Sequence, residues 1–215
     1  MSRDLSVIVI ATKNEGKARE FAHALAPLGL AVRTLSGDDR VPAIVEDGET
    51  FADNARKKAR TAGEALGVPV LADDSGLETE ALGGEPGVFS ARYAGEDAGD
   101  AANNAKLLRE LAARAADVPQ PSGLPEGVRA LSRARFVCAL ALYDPETGAF
   151  AEADGMVDGW IIDRPLGSGG FGYDPLFWVP AFGRTMAQLT TEEKQSISHR
   201  GRALAKLADL LRKTR

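Results

Sequence analysis

Cysteine is almost missing from this sequence. Cys138 is the only one in 215 residues, and it lies inside the apolar run "ARFVCALALY". No disulfide can close within the chain, no thiolate zinc set can form, and Cys138 reads as a buried strand residue. A basic excess is missing too: 26 Lys and Arg face 31 Asp and Glu, a net charge of −5. That balance excludes a general nucleic-acid binder, which needs a basic field, but still allows a local positive pocket for a small polyanion. Long apolar runs are also lacking. Near the N-terminus the longest is "VIVI", preceded by Asp4, so neither a leader nor a membrane span is expected and the reading is cytoplasmic. Serine and cysteine triads find no support in the spacing of the residues.

What remains is the composition of a globular α/β protein, 44% hydrophobic and 27% charged, expected to form a single domain over 1–215. "LSVIVIA" (5–11) reads as a strand buried on both faces, followed by a helical pattern in which Ala18, Phe21, Ala22, Leu25 and Leu28 share a face. Strand patterns at 31–35 and 68–72 alternate with helical ones at 50–66 and 100–116. The segment 117–129, "DVPQPSGLPEGVR", is a surface loop. Antiparallel strands then follow over 133–144 and 149–162, and the chain closes with a helix over 196–213 whose buried stripe is Ile197, Leu204, Leu207 and Leu211.

Gly16-Lys17 at the mouth of the first helix suggests a phosphate-binding loop. It is not a Walker loop: GxxxxGK[ST] requires glycine where Ala11 stands and a hydroxyl where Ala18 stands. The turn Thr12, Lys13, Asn14, Glu15, Gly16, Lys17 remains a plausible cradle, because Thr12 or Asn14 can cap the helix and its free amides favour an anion.

Three further constellations stand out. In "VPVLADDSGLETEALGGEPGVFSARYAG" (68–95) a strand is expected to end in Asp73 and Asp74, which point to opposite sides. Glu46 or Asp47, from "VEDGE", could share a Mg²⁺ with Asp74, since that ion takes one or two carboxylates plus substrate phosphates. The sequence "RPLGSGGFGYDPLF" contains GxGxxG at Gly167, Gly169 and Gly172, but Pro165 and Pro175 deny it the strand and helix of a dinucleotide fold. A loop carrying Phe171 and Tyr173 suits stacking on a flat ring instead. Around the last helix lie Lys194, His199 and Arg200, cations placed against the helix dipole. Phosphate, divalent metal and flat ring together describe a nucleotide.

On "ATKNEGKAREF", "ADDSGLETEALGGEPGVFSARYAG", "GGFGYDPLF" and "EEKQSISHRGRAL", the chain resembles the inosine triphosphate pyrophosphatase family. The resemblance covers essentially the whole sequence. It implies an elongated mixed sheet with flanking helices, two lobes around a central nucleotide-binding cleft, and a homodimer. It also implies Mg²⁺-dependent hydrolysis of ITP, dITP or XTP to the monophosphate and pyrophosphate. By the same resemblance Asp74 is the catalytic carboxylate and a metal ligand, with Glu46 as the second ligand. Thr12, Asn14, Gly16 and Lys17 form the triphosphate turn, and Ser75, Phe171, Gly172, Tyr173, Asp174, Lys194, His199 and Arg200 bind substrate. Arg200 and His199 are expected to pair the purine 6-oxo group. The chain departs from the family pattern at Lys13, at Gln188 where glutamate is usual, and in its long Pro-rich loop. The competing readings are a Maf-type pyrophosphatase with other base preferences and a regulator that binds nucleotide without turnover.

Overall fold

The computed structural model describes residues 7–12, 14–35, 38–114 and 117–213. The order of elements is β1 (Val7–Ile10), α1 (Glu15–Leu25), β2 (Ala31–Thr34), α2 (Phe51–Leu66), β3 (Val70–Thr79), α3 (Asp100–Ala113), β4 (Ala130–Asp144), β5 (Ala149–Ile162), β6 (Phe177–Val179), β7 (Arg184–Thr185), α4 (Thr191–Ile197) and α5 (His199–Lys213). One seven-stranded sheet runs β2-β1-β3-β4-β5-β6-β7. It is mixed: β1 pairs in parallel with β2 and β3, while β5-β6 and β6-β7 are antiparallel.

The chain divides into two compact units of interleaved segments, so no single cut in the sequence separates them. The first comprises 1–74, 138–155 and 199–215; the second comprises 75–137 and 156–198. The core of the first unit joins Ile8 and Ile10 of β1, Phe21 and Leu25 of α1, Leu71, Cys138 and Leu140 to Ala203, Leu204 and Leu207 of α5. Gly155 allows α5 its place in this unit, because a Cβ there would stand 2.1 Å from the His199 carbonyl oxygen and 2.6 Å from the Ala203 nitrogen. The second unit packs Leu77, Leu107, Leu111, Phe136, Ile161, Tyr173 and Phe177. The Pro-rich loop lies in this unit, where Val118, Leu124 and Val128 pack on Trp160 and Trp178.

Two expectations are corrected here. The strand expected at 68–72 runs ten residues, Val70–Thr79, so Asp73 and Asp74 lie within it rather than at its end. What stops at Leu71 is the pairing with β1, and the carboxylates follow directly beyond that parallel ladder. The final helix is in fact two. Ser198 takes an extended conformation (ψ 154°) between α4 and α5, so the expected stripe is split. Ile197 packs on the core of the second unit, and Leu204 and Leu207 on that of the first.

Candidate active site

The first unit gathers its charge around Asp73 and Asp74. Alternation along β3 turns the two side chains to opposite faces, and each meets different elements. Asp73 Oδ2 pairs with Lys17 Nζ of α1 at 2.9 Å and with Arg200 Nη2 of α5 at 3.1 Å. Arg200 Nη1 also donates to Glu20. Asp74 instead accepts from Asn54 Nδ2 at 3.0 Å and from Lys58 Nζ at 3.0 Å, both on α2. Lys58 Nζ stands 3.3 Å from Glu46 Oε2 as well, so Asp74 and Glu46 converge on one ammonium. Asp47 turns outward to Lys57 at 2.5 Å; of the two acidic candidates, Glu46 is the one that faces Asp74.

Burial sets the electrostatics. Asp73 is 1% exposed. Desolvation alone would raise its pKa, but Lys17, Arg200 and Lys58 outweigh it and hold the carboxyl well below the usual range. Asp74 moves the other way: burial pushes it up, Glu46 adds to the rise, and together they exceed the pull of Lys58 and Lys17. Burial opposes the charge on Lys58, yet attraction from Asp74, Asp73 and Glu46 raises its pKa. Three cations (Lys17, Lys58, Arg200) face four carboxylates (Glu20, Glu46, Asp73, Asp74) in these pairs. The excess of negative charge, with two carboxylates converging on one point, suits a divalent cation that takes its remaining oxygens from water and phosphate. Among the described residues no group of three or more His, Cys, Asp or Glu side chains could hold a metal alone.

The turn into α1 has the expected capping. Asn14 caps α1 by accepting from the Lys17 N–H at 2.9 Å, and Thr12 Oγ1 accepts from the Asn14 N–H at 3.1 Å. Glu15 and Gly16 open the helix, with Glu15 exposed and Gly16 half-buried. Lys13 lies outside the described residues.

The second unit carries the glycine loop. Phe171 is half-buried, with the Lys194 ammonium 4.8 Å from its ring centroid. Asp174 Oδ2 accepts from the Phe171 N–H at 2.9 Å and pairs with Lys194 at 2.7 Å. A Cβ on Gly170, whose φ is +74°, would lie 2.1 Å from that same carboxylate oxygen. Tyr173 is buried in the core, and its hydroxyl donates to the Ser90 carbonyl at 2.8 Å. Ser75 is half-buried in β3, the first residue of this unit. Gln188 has a local task that an amide fulfils: its Oε1 accepts from the Thr185 N–H at 3.0 Å and closes a capping box.

Arg200 is 1% exposed, with Nη2 paired to Asp73 and Nη1 to Glu20. His199, buried, begins α5.

Lys58 and Asn54 were not singled out from the sequence, where 50–66 reads as an ordinary helix. A signal was present. The buried stripe of α2 is Phe51, Asn54, Ala55, Lys58, Ala59 and Ala62, and an amide and an ammonium on such a stripe must find buried partners.

The profile of the Ham1 family matches residues 8–210. The chain is 52% identical over 200 residues to the dITP/XTP pyrophosphatase of Geobacillus kaustophilus, covering 93% of this chain and 91% of that one. It is 48% identical to the enzyme of the same name from Desulforamulus reducens, covering 95% and 94%. Among solved structures, a HAM1 protein from Coxiella burnetii superposes with a TM-score of 0.81 at 41% identity, covering 96% of this chain and 98% of that one.

Proposed function

Because this chain belongs to the Ham1 family, we propose that it is a nucleoside triphosphate pyrophosphatase that hydrolyses non-standard purine triphosphates (dITP, XTP and ITP) to the monophosphate and pyrophosphate. The observation that carries this is the pair Asp74 and Glu46 sharing Lys58 beside the capped turn of α1. A simple phosphate-binding protein would have no use for two converging carboxylates.

Asp74 and Glu46 would hold a divalent cation, for which we propose Mg²⁺. When bound, it supplies charge neutralisation of the phosphates. Lys17 and the free amides of α1 bind the polyphosphate. Asp74, its proton affinity raised by burial and by Glu46, orients the attacking water and accepts its proton. Water adds to the α-phosphorus, the bond from that phosphorus to the α,β-bridging oxygen breaks, and pyrophosphate leaves with the electron pair. Lys58 and Asn54 fix the Asp74 carboxylate, so little reorganisation accompanies the reaction. Phe171 takes the face of the purine. The protein is further proposed to be a cytoplasmic homodimer. Among the described residues no helix is long and apolar enough to cross a membrane.

Product analysis with ITP and Mg²⁺ tests the proposal. IMP and pyrophosphate are expected; IDP and phosphate, or no turnover, would refute it.

A further inference from the structure

Phe171 sits in a segment without regular structure, from Gly167 to Leu176, where Gly167, Gly170 and Gly172 all have positive φ. Such a chain has many conformations to lose, so a ring held there needs external fixing. Part of the fixing comes from within the segment and its neighbours: Asp174 holds the Phe171 N–H, and Tyr173 is tied to the Ser90 carbonyl. The residue between those two anchors is held from α3. The Gly172 N–H donates to Asp100 Oδ2 at 2.6 Å, and Asn104 Nδ2 donates to the Gly172 carbonyl at 3.0 Å. Asp100 and Asn104 are four residues apart and therefore share a helix face. Together they take both backbone polar groups of a single residue, one in each of the two peptide units that flank its Cα.

The same helix fixes a second stretch. Asn103 accepts from the Ala94 N–H at 2.8 Å and donates to the Ala91 carbonyl at 3.1 Å, while Lys106 donates to the Tyr93 carbonyl at 2.7 Å. Asn103 and Lys106 thus secure 91–94, and Asp100 and Asn104 are given over to Gly172. Gly172 directly follows Phe171, the ring proposed to meet the base, so the bonds that fix its backbone also fix the chain that carries that ring.

We propose that Asp100 and Asn104 are positioning residues for base recognition, acting on the purine through Gly172 and Phe171. This rests on the reading that Phe171 takes the purine. Their hydrogen bonds are to peptide groups, so they act on whichever triphosphate carries a ring and not on the phosphates.

The test compares ITP turnover with inhibition by inorganic tripolyphosphate, a ligand with no base. Charge-assisted hydrogen bonds are worth about 10-fold or more when buried; Asp100 is exposed, so Asp100→Ala should raise KM for ITP roughly 5-fold. The double variant Asp100→Ala/Asn104→Ala should raise it further. In both, kcat and the tripolyphosphate inhibition constant should stay within about 2-fold of wild type, the scatter expected where no contact is lost. Asp100→Asn keeps an oxygen that can accept from Gly172 and should restore KM. An unchanged KM in the double variant, a parallel rise in the tripolyphosphate constant, or Asp100→Asn as damaging as Asp100→Ala would each overturn the proposal. Product analysis of the wild type judges the parent reading separately. Release of IDP and phosphate would refute pyrophosphate cleavage, while the KM comparison would still decide the role of Asp100 and Asn104.

Discussion

In the first unit Arg200 is held by two ion pairs, and Asp74 is the carboxylate proposed to act on water. Arg200 is sealed between Asp73 and Glu20, and removing one partner of a buried pair leaves the other charge uncompensated. Arg200→Ala should therefore destabilise the protein by about 3–5 kcal/mol, and any loss of kcat/KM should be proportionally equal for ITP and ATP. Arg200→Lys should recover little, because a point charge cannot span two carboxylates as a fork does. Urea melts with parallel kinetics check this; a loss confined to ITP would assign Arg200 to base reading. Asp74→Asn keeps the shape of the side chain and removes its charge, so kcat should fall at least ~100-fold, the scale of a positioned acid–base group, with an intact fold by circular dichroism. Of this residue-scale picture, the acidic pair and Lys17 are legible in the sequence because strand alternation and helix capping act locally. Lys58 is not, since its partners Asp74 and Glu46 lie 16 and 12 residues away and only packing brings them together.

Elements are legible where one period governs them. α1, α2 and β5 follow their apolar patterns, and the two helices start at caps: Asn14 and Thr50 both accept from a backbone N–H three residues on. The expected patterns fail where tertiary structure overrides local preference. β3 extends through two aspartates, residues of low strand preference, because Lys17 and Arg200 pair with Asp73 Oδ2 while Asn54 and Lys58 hold the two oxygens of Asp74. The break at Ser198 carries no proline or glycine signal; it falls where the chain passes from the second unit to the first. Close approach in β5 is equally invisible in the sequence. Gly155→Ala would bring its methyl group into the His199 carbonyl and should cost about 1–3 kcal/mol or more, the range of overpacking. Gly99→Ala, with nothing within 4 Å of its Cβ, should stay within about 0.5 kcal/mol. Thermal melts of the two variants compare them directly, and equal melting temperatures would contradict the packing at Gly155.

At the scale of the whole molecule, pH resistance and turnover are the two observables. Cys138 is buried among the apolar residues of the first unit, and burial pushes its thiol from an ordinary 9.0 up to about 12. Folding thus keeps the thiol neutral while the unfolded chain ionises, so this contribution is intact below pH ~9 and declines as pH rises toward ~12. The slope from one such group is about 1.4 kcal/mol per pH unit. The stability gap between wild type and Cys138→Ala should accordingly narrow by about 1 kcal/mol between pH 9 and pH 10, where the unfolded thiol goes from half to almost fully ionised, with other titrations cancelling in the difference. A gap independent of pH would show the thiol to be accessible. The central claim concerns the phosphorus that the first unit presents to water, and turnover of ITP in ¹⁸O-labelled water reads it directly. Attack at the α-phosphorus puts the label in IMP and none in pyrophosphate. Label in pyrophosphate, or in inorganic phosphate released beside IDP, would contradict the account.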